Sequence, residues 1–353
     1  MIQTIIMYTL SLIVCFILAR DARIKNKKNF VCAVVMILTL MAGLRAESVG
    51  IDTPGYVERF KLILNNQIQY VWGIEYTYKV IMLVISKVFK NYTLFLCVMA
   101  FITNCLIVVR LWEFREITKF EFAITVYYIM FYFYGYNIIR QMVAVAIIFW
   151  ATRFIEQKKY IWFILLTFVA FLFHTSALFG LAFLAVELLE WKHLSKKQRI
   201  FMITGLFGSP AVMGYLMLQM QAYSGYLVTV QGRIGTVLFA KIILFAFSVI
   251  GVKKHIIAVE KKELLDYKVK VIEIYYLIGL VLGFSGYIFP VVNRISLYFY
   301  LFECVYIGLL MKYKKWKSGY PLCYILMYGL IFISMFMGTG QGQVPYLFFW
   351  QQQ

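Results

Sequence analysis

Residues 2–19 read IQTIIMYTLSLIVCFILA, and residues 20–28 read RDARIKNKK. The first stretch carries no charge and is close to the roughly 20 apolar residues that carry a helix across a bilayer. The second places five Lys and Arg directly behind it. No basic stretch precedes the run and no small-residue cleavage site follows it. It reads as a retained span rather than a removable leader.

The same alternation continues along the chain. Apolar runs at 2–19, 30–44, 92–109, 122–136, 138–152, 160–173, 176–190, 200–218, 235–252, 271–289, 294–311 and 320–337 are candidate spans. Hydrophobic residues make up 63% of the 353 and charged residues 14%, against about a quarter charged in soluble domains. A soluble fold could not cover that much apolar surface. Lipid accepts it only from segments that satisfy their own backbone hydrogen bonds, which selects helices. The predicted fold is therefore all-α: one polytopic transmembrane bundle over 1–353, with about 12 spans plus one re-entrant or interfacial helix. The stretch Lys253 to Lys270 is read as a loop, and no length remains for a separate soluble domain. The six cysteines, Cys15, Cys32, Cys97, Cys105, Cys304 and Cys323, all sit in apolar runs without paired spacing, so they read as packing residues.

The formal net charge of +19 comes in short bursts. Those at 20–28, 153–159, 192–199, 253–270 and 312–317 hold 22 of the 35 Lys and Arg. This is the positive-inside pattern, not a nucleic-acid surface. Placing all five bursts in the cytoplasm puts both termini outside. It requires that 75–90, which carries Glu75, Lys79, Lys87 and Lys90, lie in the interface or dip and return. The alternative is a crossing there with one burst misplaced. Residues 45–74 become an external loop, with an amphipathic helix from Tyr56 to Leu64 after the Pro54-Gly55 turn.

With that topology several polar clusters meet on the outer face. Arg45, Asp52 and Tyr56 fall within twelve residues at a span's end. Asp52 reads either as a base that takes a hydroxyl proton or as a helix cap, with Arg45 snorkelling. Asn137, Arg140, Gln141 and Ala144 share a helical stripe. Arg140 lies inside an apolar run, where its fork suits phosphate or carboxylate unless it snorkels to headgroups. His174, in Phe173-His174-Thr175-Ser176-Ala177, is either a base or donor or a structural corner. Asn293 and Arg294 open a later span. Lys241 and Glu303, both mid-span, read as a mutually neutralising pair. Gln343, Pro345 and Tyr346 are placed to fold back over the outer opening. Three arginines with few acids imply an anionic ligand, and a diphosphate fits. No DxD-like metal pair stands on that face and no P-loop occurs, so neither a metal nor a nucleotide is expected.

These residues resemble a known family. Gly43-Leu44-Arg45, Gly50-x-Asp52-Thr53-x-x-Tyr56, Asn137-x-x-Arg140-Gln141-x-x-Ala144, Phe173-His174-x-Ser176-Ala177 and the terminal Pro345-Tyr346 are similar in order and spacing to the EpsG family of exopolysaccharide proteins. That family is in turn similar to Wzy-type polysaccharide polymerases. The middle third matches in hydropathy, and Glu75 stands where the family often has an acid. The resemblance implies a bacterial cytoplasmic-membrane glycosyltransferase with its active face extracytoplasmic. It would move a growing glycan from undecaprenyl diphosphate to a lipid-linked repeat unit, by inverting transfer without metal or cofactor. Its partners would be the undecaprenyl-diphosphate-linked oligosaccharide, the lipid bilayer, a chain-length regulator and a flippase. Asp52, His174 and Arg140 are the expected catalytic residues. Arg45, Tyr56, Asn137, Gln141, Asn293, Arg294 and Tyr346 are the expected substrate contacts. A flippase or transporter of the same lipid-linked oligosaccharide is the competing function.

Overall fold

The structure, a computed structural model, describes residues 1–71, 73, 75–188, 197, 238–246, 263–286, 290–313, 319–337 and 342–351. Among them every regular element is helical, and an isolated antiparallel bridge joins Arg45 to Phe348. The chain divides into two compact units, residues 1–178 with 328–353 and residues 179–327.

The first unit opens with α1 (Ile2–Lys25) and α2 (Lys28–Gly43), a hairpin turned by Asn26 at φ 49°. Then come α3 (Thr53–Leu64), α4 (Tyr76–Val88) and α5 (Tyr92–Glu113). Next, α6 (Phe120–Tyr127) passes through a π turn (Tyr128–Tyr132) to α7 (Tyr134–Asn137). Last are α8 (Ile139–Glu156) and α9 (Tyr160–Phe173). The helices are inside out by soluble standards. Helix α1 buries Thr4, Tyr8, Ser11 and Cys15 and exposes Ile6, Leu10, Ile13 and Ile17. Helix α9 exposes Ile161, Trp162, Leu165 and Phe168. Only an apolar solvent favours that sorting.

Side-chain ties fix the two ends of this unit. At one end Arg23 pairs with Glu121 at 2.6 Å, and Arg110 pairs with Glu113 at 2.8 Å and also with Glu156. Arg153 joins Glu113 at 2.8 Å. The ends of α1, α5 and α8 and the start of α6 therefore meet, together with the bursts at 20–28 and 153–159. At the other end Tyr346 N–H donates to Thr4 Oγ1 at 3.0 Å, Ala46 N–H to the Leu347 carbonyl at 2.8 Å, and Phe349 N–H to the Leu44 carbonyl at 2.9 Å. The segment 342–351 thus folds back over the start of α1 and the end of α2, as its sequence predicts.

Both ends of α4 lie at this second end. Before its first residue, Glu75 pairs with Arg140 at the start of α8. After its last, Lys90 at φ 50° turns the chain into α5, whose Cys97 packs on Gly43 so closely that a Cβ there would fall 2.6 Å from Cys97 Cα. At 13 residues the helix is about 20 Å long, against a hydrocarbon core of about 30 Å. Both ends of the stretch 75–90 thus lie at the same end of this unit.

The second unit holds α10 (Leu181–Leu188), a helical stretch at 238–246, α11 (Glu263–Ser285), α12 (Pro290–Tyr300) and α13 (Phe302–Tyr313). Helix α14 (Tyr320–Met337) begins in it and from Tyr328 belongs to the first. Phe183 stacks on Phe299 at 4.2 Å and meets Tyr275 edge-on at 4.6 Å. Lys241 and Glu303 form the expected pair at 2.8 Å, and Tyr276 Oη donates to Glu303 Oε1 at 3.1 Å. One expectation needs correcting. Residues 263–270, read as loop, are helical: Glu and Lys are good helix formers, so charge does not mark where a helix stops. The run expected at 294–311 is apolar enough to cross, with a turn at Leu301 between α12 and α13. The predicted span 200–218 lies outside the described residues.

Three stretches, Ile2–Lys25, Tyr92–Glu113 and Val292–Lys312, are long and apolar enough to cross a membrane by length and composition. Shorter apolar helices accompany them at Lys28–Gly43, Phe120–Tyr132, Tyr160–Phe173, Thr175–Leu188 and Pro321–Phe336.

Candidate functional site

The site is built on the loop between α2 and α3. Arg45 is its hub, 1% exposed. Its guanidinium donates to the Val49 carbonyl at 3.3 Å, to Thr53 Oγ1 at 3.4 Å, to the Tyr136 carbonyl at 3.3 Å and to the Ala42 carbonyl. Its Cζ stands 4.7 Å from the Tyr136 ring centroid. Thr53 Oγ1 lies 2.8 Å from the Val49 carbonyl and 3.0 Å from that of Tyr136. Gly50 makes the turn possible. It sits at φ 99°, and a Cβ there would fall 2.6 Å from Thr53 Oγ1 and 3.0 Å from the Tyr136 carbonyl. Arg45, expected to face a ligand, is turned inward and locks the loop to the α7 corner.

That lock presents Asp52. It is the N-cap of α3, yet its side chain makes no cap bond and it stands exposed. The capping reading therefore fails. Its backbone N–H donates to Asn137 Oδ1 at 3.4 Å, which joins the first polar cluster to the second. One turn along α3, Tyr56 is buried within hydrogen-bond reach of Arg140, with Asp52 and Arg59 near enough to act on it. Burial pushes its phenol above the ordinary tyrosine pKa, and Arg140 pulls the other way.

Arg140 opens α8. Its Nη1 donates to the Gly73 carbonyl at 3.1 Å and pairs with Glu75. Its Nε is buried with no hydrogen-bond partner, and its side chain is 23% exposed. Tyr78 lies beside it, ring centroid 6.0 Å from Cζ. Glu75, the partner of Arg140, was not among the predicted site residues. The available signal was an acid at the edge of an apolar run. The expected stripe from Asn137 to Ala144 is broken, because Ile138 leaves helical geometry at φ −88°, ψ 51°. Asn137 therefore ends α7 while Arg140 starts α8. Gln141 is 1% exposed and faces the interior.

His174 ends α9 in extended conformation. Helices α8 and α9 pack together across the short turn at 157–159, so they run antiparallel and His174 returns to the end where Arg140 lies. Its Nδ1 receives the Ser176 N–H at 3.3 Å and lies 2.6 Å from Ser176 Oγ. A nitrogen accepting an N–H carries no proton, so the proton of the neutral ring is on Nε2. Tyr346 is buried, with its hydroxyl donating to the Met41 carbonyl at 2.8 Å. Asn293 and Arg294 lie on α12 of the second unit, both exposed. Of the predicted residues, Asp52 is bonded to Asn137, Tyr56 lies within reach of Arg140, and Arg45 holds the loop through Thr53 and Tyr136.

These features define a polytopic helical membrane protein whose acid, arginine and aromatic chemistry is gathered at the end opposite two of its basic bursts. The model of the EpsG family matches residues 28–348, and the chain belongs to that family, membrane proteins of exopolysaccharide biosynthesis. No curated protein and no solved structure matches it.

Proposed function

We propose that the protein is a polysaccharide polymerase of the bacterial cytoplasmic membrane, acting at its outer face. The observation that carries this reading is Arg140: a partly buried guanidinium at the start of α8, bound to a carboxylate, with Nε unpartnered. Glu75 marks the place as one that binds an oxyanion, and the diphosphate of a polyprenyl-linked glycan is such a group.

In the transfer, a hydroxyl oxygen of the acceptor repeat unit bonds to the anomeric carbon of the growing glycan from the opposite face. The anomeric C–O bond to diphosphate breaks, and its electron pair leaves with undecaprenyl diphosphate. Arg140 stabilises that charge as it develops. The hydroxyl proton goes to Asp52, which is exposed, uncapped and one turn from Tyr56. The ring of His174 has Nδ1 engaged by Ser176 and suits a donor rather than a base. Arg45 positions the loop. The substrate is an undecaprenyl-diphosphate-linked oligosaccharide, and the working partners are a flippase that supplies it and a chain-length regulator.

The test is Arg140→Ala at unchanged abundance and localisation. The expected loss is about 10²–10³ in rate, with single repeat units accumulating on the outer leaflet. Full-length polymer from that variant rejects the reading. The pair Lys241–Glu303, 4% and 0% exposed, favours the competing flippase function, because ionisable groups within a membrane often mark a transport path. In that case a deletion strain traps single units on the inner leaflet.

A further inference from the structure

Arg59 follows Tyr56 by three residues on α3, so it sits beside Tyr56 on the helix surface, about two turns from Asp52. Its Nη1 donates to the Gly55 carbonyl at 2.9 Å. That bond folds the half-buried side chain back along the helix toward the turn where Tyr56 meets Arg140. Both arginines act electrostatically on the hydroxyls of Tyr56 and Tyr78. The Tyr78 hydroxyl is buried and has no hydrogen-bond partner, like Arg140 Nε. Glu75 is paired with Arg140. Among the described residues no carboxylate is paired with Arg59. Arg140 therefore lies beside Tyr78 and within reach of Tyr56, Arg59 follows one turn along α3 near enough to act on both phenols, and the Tyr78 hydroxyl is unused.

We propose that Arg59 and Arg140 form a two-point clamp for a diphosphate, each guanidinium holding one phosphoryl group, with the Tyr56 and Tyr78 hydroxyls between them. The clamp makes the site selective for a polyprenyl diphosphate over the monophosphate, which reaches one cation only. This rests on the reading of Arg140 as an oxyanion site and adds its specificity.

The experiment measures binding of undecaprenyl diphosphate and undecaprenyl monophosphate to the full-length protein in lipid nanodiscs. The wild type prefers the diphosphate. Arg59→Ala weakens diphosphate binding on the order of tenfold, the scale of one charge-assisted contact, and leaves monophosphate binding unchanged. Arg140→Ala weakens both. Arg59→Lys restores part of the preference. Lys61→Ala, which removes a cation of the same helix that pairs with Glu47 at 2.8 Å, changes neither. Should Arg59→Ala not fold, Arg59→Gln keeps the stem and tests the same charge. Equal loss on both lipids, or no loss, overturns the clamp and leaves the Arg140 site standing. A wild type that binds neither lipid overturns the oxyanion site and the clamp with it.

Discussion

Arg45 has its donors on four protein oxygens, whereas Arg140 keeps Nε unmatched and part of its surface open. The two should therefore fail differently. Arg45→Lys loses the fork and leaves buried acceptors without donors, at about 1–3 kcal/mol, so thermal unfolding in detergent should shift downward. Arg140→Lys should keep its unfolding temperature and lose transfer, since an ammonium does not present two parallel donors. Asp52→Asn should slow polymerisation by about 10²–10⁴, the contribution of a general base. His174→Gln should cost clearly less, because Nδ1 is already engaged by Ser176. Equal losses from the two would return the base to His174. The sequence displays this inventory because arginines and acids beside apolar runs are costly and few. It does not display which arginine turns inward. The inward turn of Arg45 depends on the Tyr136 carbonyl, 91 positions away, and local spacing carries no record of it.

Helices are where the sequence is most legible and their breaks where it is least. The runs at 2–19, 30–44, 92–109 and 160–173 fall on α1, α2, α5 and α9, because twenty apolar residues in lipid have one backbone solution. The interruptions at Tyr128–Tyr132 and Leu301 are apolar on both sides, so composition does not announce them, whereas the break at Ile138 falls beside Asn137, between the runs 122–136 and 138–152. The break at Ile138 matters for the site: it releases Asn137 toward Asp52 while Arg140 starts a new helix toward Glu75. Gly50 is the element-scale test. Gly50→Ala forces a side chain into φ 99° and 2.6 Å from Thr53 Oγ1, a strain of about 1–3 kcal/mol. The turn that carries Asp52 should shift, lowering both thermal stability and transfer rate. Unchanged stability would mean that the loop is not held as tightly as the bonds of Arg45 indicate.

At the scale of the molecule, the question is which side of the bilayer each end of the first unit faces. The bursts at 20–28 and 153–159 are clustered at one end and the 45–56 loop at the other, which fits positive-inside orientation with the site outside. The decisive segment is α4. Glu75 ties its start to Arg140, and its end runs into α5 beside Gly43, so both ends lie at one end of the unit. In a cysteine-free background, single cysteines at Tyr76 and Lys90, both exposed, should react with a membrane-impermeant maleimide added to intact cells, as should one at Ser48. Cysteines at Asn26 and Gln157, exposed at the opposite end, should react only after permeabilisation. If Tyr76 and Lys90 labelled from opposite sides, α4 would cross. The count of crossings before α5 would change by one, and either the first basic burst or the later ones would lie outside. The common face of Asp52 and Arg140 would then be lost, because their bonds to Asn137 and Glu75 could not survive on opposite sides of a bilayer.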